Sequence, residues 1–169
     1  MRVIALVFLC LLGLSHNGYG QTTVYKAHAV FIFNFAKYSQ WPSQSTEFVI
    51  TVLGKSPLTQ ELLTGASKHT IQGAKVVVQE VDDVSKIKDT HIVVVTDGKS
   101  NQLADLVKTT GSKPIMIVAE REGLYKRGAG ISFFVNDSGK LNFDMNLTDM
   151  QKRTLSLSKN LTTLAAATL

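Results

Sequence analysis

Two Gly-Lys-Ser triplets are the residues whose type and spacing come nearest to a phosphate-binding site. Gly54-Lys55-Ser56 and Gly98-Lys99-Ser100 each follow an apolar run typical of a strand and precede a helical pattern. A Walker loop needs another glycine five residues before the glycine of the triplet, because its backbone N–H groups surround the phosphate. Val49 and Val93 stand at those positions. The triplets therefore predict polar turns and argue against a nucleotide site.

Histidine, cysteine and serine, which supply most metal ligands and nucleophiles, show no spacing typical of a site. His28, His69 and His91 are far apart in the sequence, and the only cysteine, Cys10, lies near the start of the chain. A serine nucleophile on a Gly-x-Ser-x-Gly elbow is also absent from the sequence. We therefore expect no catalytic residues, no metal and no cofactor, and we predict that the protein is not an enzyme.

Charged residues in the loops after three predicted strands suggest an alternative. Open α/β sheets bind ligands at the carboxyl ends of their strands. The charged residues in those loops are Lys55, Asp97, Lys99, Glu120 and Arg121. The same charges are expected on any solvated loop, so a small-molecule-binding protein or a weak enzyme that uses these loops is the alternative interpretation.

The elements that must position these residues alternate along the chain. Apolar spacing predicts a first helix over 24–41, closed by Pro42, and short helices that begin at Pro57 and around Leu103. Runs rich in β-branched residues predict strands over 48–53, 75–81, 91–96, 115–119, 130–136 and 140–145, the last two joined by a turn. Asn146 then begins a predicted final helix with Leu147, Met150, Leu157, Leu161 and Leu164 on one face. The order predicts an α/β layered sandwich with a mostly parallel twisted sheet, an antiparallel hairpin at one edge and flanking helices.

The first twenty residues are of a different kind. A positive charge at Arg2 precedes an apolar run over 3–14 and a polar stretch with small residues before Gln21. This pattern predicts a secretory signal peptide over 1–20, since the run is too short for a membrane span of about 20 apolar residues. Leu9 stands where a lipoprotein signal needs a small residue, so we expect no lipid anchor at Cys10. The rest, 21–169, is predicted to be a single domain that is secreted and works in an oxidising compartment.

The composition excludes several classes of protein. Hydrophobic residues make up 44% and charged residues 18%, with 12 Gly and 3 Pro, which disfavours disorder and collagen-like or coiled-coil structure. The formal charge is +5, but the basic residues are scattered and not interleaved with aromatic ones. We therefore expect a globular protein with no nucleic-acid partner.

The first predicted helix carries apolar residues on two faces. Val30 and Phe33 lie beside Lys26, Lys37 and Gln40, opposite the main apolar stripe. Either the helix is buried on two sides, or an exposed patch meets a partner or a second copy of the chain. The second interpretation places an interface on Val30, Phe33, Lys37, Tyr38 and Trp41.

Several segments, in one order over 24–166, together resemble a known family. They are Lys26-Ala27, 33–38, Trp41-Pro42, Phe48, 52–54, Pro57, 71–73, 128–134, 139–141, Phe143 and Asn146. In these segments the chain resembles the YfiR-like family of bacterial periplasmic regulators. Two blocks are the most specific. The first is Asn-Phe-Ala-Lys-Tyr at 34–38, followed by Trp-Pro at 41–42. The second is Gly followed by Ile-x-Phe-Phe, within 128–134, and then Asn146.

The resemblance implies a non-enzymatic repressor. Such a protein binds the periplasmic part of a membrane-bound diguanylate cyclase and restrains cyclic-di-GMP synthesis, often as a homodimer. Some relatives accompany sensor kinases, so a histidine kinase is the alternative receptor. Well-studied members carry cysteines in their mature part, and this chain has none after Cys10. The resemblance therefore does not extend to redox sensing through disulfides.

Overall fold

Hydrophobic strands form the centre of the molecule, which a computed structural model describes over residues 19–42 and 45–169. The strands are β1 (Ser39–Gln40), β2 (Glu47–Leu53), β3 (Thr70–Ile71), β4 (Ala74–Val81), β5 (Ile92–Val95), β6 (Met116–Ala119), β7 (Ile131–Val135), β8 (Leu141–Met145) and β9 (Ser156–Leu157). The α-helices are α1 (Tyr19–Lys37), α2 (Leu58–Ala66), α3 (Leu103–Thr110), α4 (Leu147–Lys152) and α5 (Lys159–Thr162).

A seven-stranded sheet has the order β3-β4-β2-β5-β6-β7-β8, and β1 pairs with β9 in a separate antiparallel sheet. The five neighbouring strands β4, β2, β5, β6 and β7 pair in parallel, whereas the edge strands β3 and β8 are antiparallel to their neighbours. Every residue of β5 and β6 is buried, as expected for parallel strands covered on both faces. The predicted fold class is therefore confirmed, with β7 and β8 as the hairpin.

Two hydrophobic clusters lie on opposite faces of this sheet. Side chains alternate along a strand, so Ile92 and Val94 face one cluster, while Val93 and Val95 face the other. The first cluster contains the buried apolar residues of α1, α2 and α4, and the second contains those of α3. The predicted layered sandwich is present.

The first helix ends earlier than its apolar pattern predicts. Helix α1 ends at Lys37, and after Tyr38 the residues Ser39 and Gln40 pair with Leu157 and Ser156 of β9. The predicted continuation to residue 41 is wrong because the backbone groups of β1 bond to a strand that lies more than a hundred residues away.

The predicted single final helix is also wrong. Helix α4 begins as expected, with the Asn146 side chain accepting a hydrogen bond from the Asp149 N–H, but it ends at Lys152. Thr154 then adopts a left-handed backbone with φ of 56°, and Ser158 caps a separate helix, α5. Met150 and Leu161 are nevertheless both buried in the first cluster, which explains why the apolar spacing continues across the break.

The predicted signal peptide over 1–20 lies almost entirely outside the described residues. Of it, the structure describes only the backbone of Tyr19 and Gly20, in the first turn of α1. Among the described helices, none has the length and apolar character that crossing a bilayer requires.

Candidate functional site

Phe33 packs inside the molecule and not on its surface. Its side chain is 5% exposed, and its ring stacks on His69 with the centroids 4.5 Å apart. The ring also lies against Gly65 of α2, where a Cβ atom would collide with it. Helix α1 is thus buried on two sides, and the interpretation of Phe33 as part of an exposed patch is wrong.

Trp41 is a packing residue as well. It is 8% exposed, and its indole N–H donates a hydrogen bond to the Ala36 carbonyl oxygen, 3.2 Å away. The indole ring meets Phe48 edge to face at 5.0 Å between centroids. The residue closes the end of α1 onto β2 and offers little surface to a partner.

The remaining residues of the predicted interface are exposed. Val30 is 59% exposed and Tyr38 is 48% exposed. Lys37 is exposed and its Nζ atom lies 5.5 Å from the centroid of the Tyr38 ring. Together with Lys26, which lies one turn before Val30 and is also exposed, these residues form a surface that we call the outer face of α1. An apolar centre between two cationic flanks suits a partner with an apolar contact and acidic neighbours.

The charged loops meet at the carboxyl edge of the sheet. Strand β2 pairs with β4 on one side and β5 on the other, so the chain changes direction across the sheet beside β2. At such a switch point the loops that follow β2 and β5 diverge, and the crevice between them is a common ligand position. This edge is therefore the geometrically favoured place for the alternative, a small-molecule site.

Three of the five loop residues predicted for that alternative come together there. The Ser56 hydroxyl donates to Glu120 Oε1 at 2.6 Å, and the Asp97 backbone N–H donates to Glu120 Oε2 at 3.1 Å. Arg121 Nε donates to Asp97 Oδ1 at 2.6 Å. We call Ser56, Asp97, Glu120 and Arg121 the loop cluster. Its two carboxylates are both occupied by partners from the same cluster.

The electrostatics of the loop cluster follow from this pairing. Burial raises the pKa of Glu120, while its hydrogen bonds from Ser56 and Asp97 act in the opposite direction. The hydrogen bond and charge of Arg121 lower the pKa of Asp97. Tyr25 of α1 reaches the same place, and its pKa is raised by burial and by the nearby charge of Glu120. The cluster therefore joins the loops after β2, β5 and β6, and Tyr25 of α1 lies near it.

The two lysines predicted for the loop site are placed differently. The side chain of Lys99 packs beside Gly54, whose φ of 94° and lack of a Cβ atom allow this close approach. Lys55 is exposed and makes no hydrogen bond or ion pair with the described residues. Neither lysine joins the loop cluster.

Sequence reasoning missed two members of this assembly. Ser56 was visible in the Gly-Lys-Ser triplet, but the missing Walker glycine argued only against phosphate and gave no sign of Glu120 as a partner. Tyr25 had no signal, because its position beside Ser56 depends on how α1 crosses the sheet.

The three histidines within the described residues each pack against a phenylalanine. The ring centroids are 4.4 Å apart for His28 and Phe133, and 4.5 Å apart for His91 and Phe48. His69 stacks on Phe33, as described above. Within the described part of the chain, no group of three His, Cys, Asp or Glu side chains is arranged to hold a metal ion.

Comparison with known proteins agrees with this fold. The family model described as YfiR/HmsC-like matches residues 25–166. Among solved structures, the chain is similar to the crystal structure of a conserved domain protein from Vibrio cholerae O1 biovar eltor str. N16961, with a TM-score of 0.58 and 12% sequence identity. The similarity covers 86% of this chain and 60% of that one, and at this identity it shows the fold alone. None of the curated proteins matches the chain.

The family match spans the whole sheet and all the helices except the first residues of α1. The chain belongs to the YfiR/HmsC-like family.

Proposed function

We propose that this protein binds the periplasmic part of a membrane-bound receptor, a diguanylate cyclase or a sensor kinase, and holds the receptor in its inactive state. The observation that carries the proposal is the family match over residues 25–166. The fold is compatible with this role, because a regulator of this type needs a stable, preorganised surface and no reacting group.

The outer face of α1 is the surface that we propose for this contact. Ile32 and Phe35 anchor the helix in the core beneath, and Phe33 fixes it against α2. A helix held on two sides loses little conformational freedom when its exposed side is covered. Val30 offers an exposed apolar contact, and Tyr38 offers an aromatic one of the kind enriched at interface centres.

Regulation by such a contact requires differential affinity. A protein that binds two receptor states equally shifts neither, however tightly it binds. A preference of about 100-fold for the inactive state corresponds to about 2.7 kcal/mol and shifts the receptor equilibrium by the same factor. One buried aromatic or aliphatic anchor with its flanking charges can supply free energy of this order.

The chain provides a matched pair of substitutions for testing the surface. Val30→Asp places a charge at the centre of the outer face of α1, while Val135→Asp makes the same change at a valine that is 53% exposed at the end of β7. In periplasmic crosslinking with a tagged mature protein, we expect Val30→Asp to lose the receptor and Val135→Asp to retain it. Equal capture by both variants would contradict the proposed surface.

The same variants test self-association. The outer face of α1 is also the surface that we propose for contact with a second copy of the chain. Sedimentation of the wild type and the two variants separates the roles: loss of the dimer without loss of receptor assigns the surface to the homodimer alone. Phe33→Asp is not a suitable probe, because Phe33 is buried and its loss would disturb the fold.

The loop cluster is the site for the alternative interpretation, a small-molecule-binding protein. Its carboxylates already pair with Ser56, the Asp97 N–H and Arg121, so a ligand at this edge would have to displace those partners. A metabolite that raises the melting temperature of the wild type but not of Glu120→Gln would support that interpretation.

A further inference from the structure

A cavity of about 240 Å³ opens at the amino ends of β5 and β6, on the sheet edge opposite to the loop cluster. Its apolar lining includes Leu106 of α3 and Ile115, both buried, together with Val84. The exposed residues Lys88 and Lys113 also line it. An apolar floor with cations at the mouth is the arrangement that accepts a molecule with an apolar body and an anionic end.

A buried arginine contacts the wall of this cavity through Thr110. Arg153 is fully buried, and its Nη1 atom donates a hydrogen bond of 3.0 Å to the hydroxyl of Thr110, which itself lines the cavity. Its Nε atom donates to Asp149 Oδ2 at 2.7 Å. The Nη2 atom is buried and has no hydrogen-bond partner among the described residues. One side of this guanidinium therefore retains unused donor capacity.

The charges around the cavity sum to a local excess of positive charge. Lys88, Lys113 and Arg153 are cationic, while Asp89 at the rim and Asp149 beside the guanidinium are anionic. The buried Arg153 and Asp149 are ion-paired and largely cancel each other, so the excess comes from Lys88 and Lys113 against Asp89. The cavity therefore favours an anion over a neutral molecule of the same shape.

We propose that this cavity binds a small organic acid, with its carboxylate near Lys88 and Lys113 and its apolar body against Leu106 and Ile115. The proposal does not depend on the receptor contact, because the cavity uses no residue of the outer face of α1. The cationic mouth attracts a carboxylate and an inorganic phosphate alike, but only the organic acid has an apolar body that packs on the apolar floor.

Hexanoate is a suitable probe, with hexan-1-ol as its neutral counterpart and inorganic phosphate as the anion without an apolar body. The test uses the mature protein, titrated calorimetrically and followed by the methyl resonances of Leu106 and Ile115. The Lys88→Gln/Lys113→Gln double variant removes both rim cations, and Lys108→Gln removes an exposed lysine of α3 that does not line the cavity.

We expect saturable hexanoate binding that shifts the Leu106 and Ile115 methyl resonances. It should weaken at least about tenfold in the double variant, remain unchanged in Lys108→Gln, and exceed the binding of hexan-1-ol and phosphate by a similar factor. Four outcomes would overturn the proposal: no saturation, equal binding of hexan-1-ol, equal binding of phosphate, or shifts at methyl groups elsewhere.

Discussion

At the level of single residues, His28 links the stability of the fold to pH. It is buried in α1 between Tyr25 and Phe133, and burial lowers its pKa to about 4. In the unfolded chain its pKa is about 6.5, so between these values the unfolded state binds more protons than the folded state. Stability should therefore fall as the pH falls from about 6.5 to about 4, by about 3 kcal/mol from this residue.

Chemical denaturation at pH 7.5 and at pH 4.5 measures this effect. We expect His28→Leu to remove most of the difference between the two pH values, since leucine fills a similar volume and cannot ionise. His69→Leu, at a histidine that is exposed and stacked on Phe33, is the control. Burial also lowers the pKa of His91, so a smaller slope in the same direction should remain. A wild type whose stability is the same at both pH values would contradict this role of His28.

Two ion pairs of nearly equal length should differ greatly in their importance. Arg153 and Asp149 are 2.7 Å apart and almost completely buried, whereas Arg121 and Asp97 are 2.6 Å apart and exposed. Removing one partner of a buried pair leaves an uncompensated charge. We expect Arg153→Gln to destabilise the protein by about 3 kcal/mol and Arg121→Gln to have a much smaller effect.

A double-mutant cycle with Asp149→Asn separates the pairing of Arg153 from its packing. The double variant should be more stable than the sum of the single changes predicts, because the second substitution removes the unpaired carboxylate. Urea denaturation gives all the required free energies. Strict additivity would show that Arg153 stabilises the fold only through its packing.

At the level of elements, the contact between α1 and α2 depends on Gly65. A Cβ atom at this position would collide with the Phe33 ring, and that ring is held in place by its stacking on His69. We expect Gly65→Ala to lower the free energy of unfolding by about 1–3 kcal/mol, although alanine is the better helix former. The urea midpoint measures the change.

Gly98 provides the comparison for this substitution. It follows β5, and a Cβ atom there would meet nothing within 4 Å. Gly98→Ala should therefore change the urea midpoint little. If Gly65→Ala stabilised the protein as much as helix propensity suggests, the close packing of α1 against α2 would be refuted.

The strands were predictable from the sequence, whereas some helix ends were not. Each predicted main strand lies within one residue of its observed bounds at both ends, since β-branched runs bounded by turn residues depend on local chemistry. The ends of α1 and α4 depend on the pairing of β1 with β9, which joins distant parts of the chain. Periodicity also located a second apolar face on α1, but it left open whether that face is buried, and it did not identify Gly65 as the residue that Phe33 meets.

At the level of the whole molecule, the candidate sites depend on topology that no local pattern contains. The carboxyl edge brings together Ser56, Asp97 and Glu120 only because β5 and β6 lie in order beside β2. The opposite cavity joins loops before β5 and β6 to the end of α3, and Arg153 from beyond α4 contacts its wall through Thr110. Sequence reasoning selected some of these charges from their loop positions, but it had no means of pairing them.

The surface proposed for the receptor and the cavity proposed for the organic acid lie on opposite sides of the sheet. The outer face of α1 lies on the side of the sheet that α1 and α2 cover, and the cavity lies at the end of α3 on the other side. Val30→Asp should therefore leave hexanoate binding unchanged, and the Lys88→Gln/Lys113→Gln variant should retain the receptor in crosslinking. Calorimetry and crosslinking on the same two proteins test this independence, and loss of both activities in either variant would contradict it.

We propose that this protein restrains a receptor of the cyclic-di-GMP system through the outer face of α1. The most direct measurement is the intracellular concentration of cyclic-di-GMP in cells that lack the protein and in cells complemented with the wild type, Val30→Asp or Val135→Asp. We predict that loss of the protein raises the concentration, and that the wild type and Val135→Asp restore it while Val30→Asp does not. A concentration that is the same in all of these cells would contradict this role of the protein.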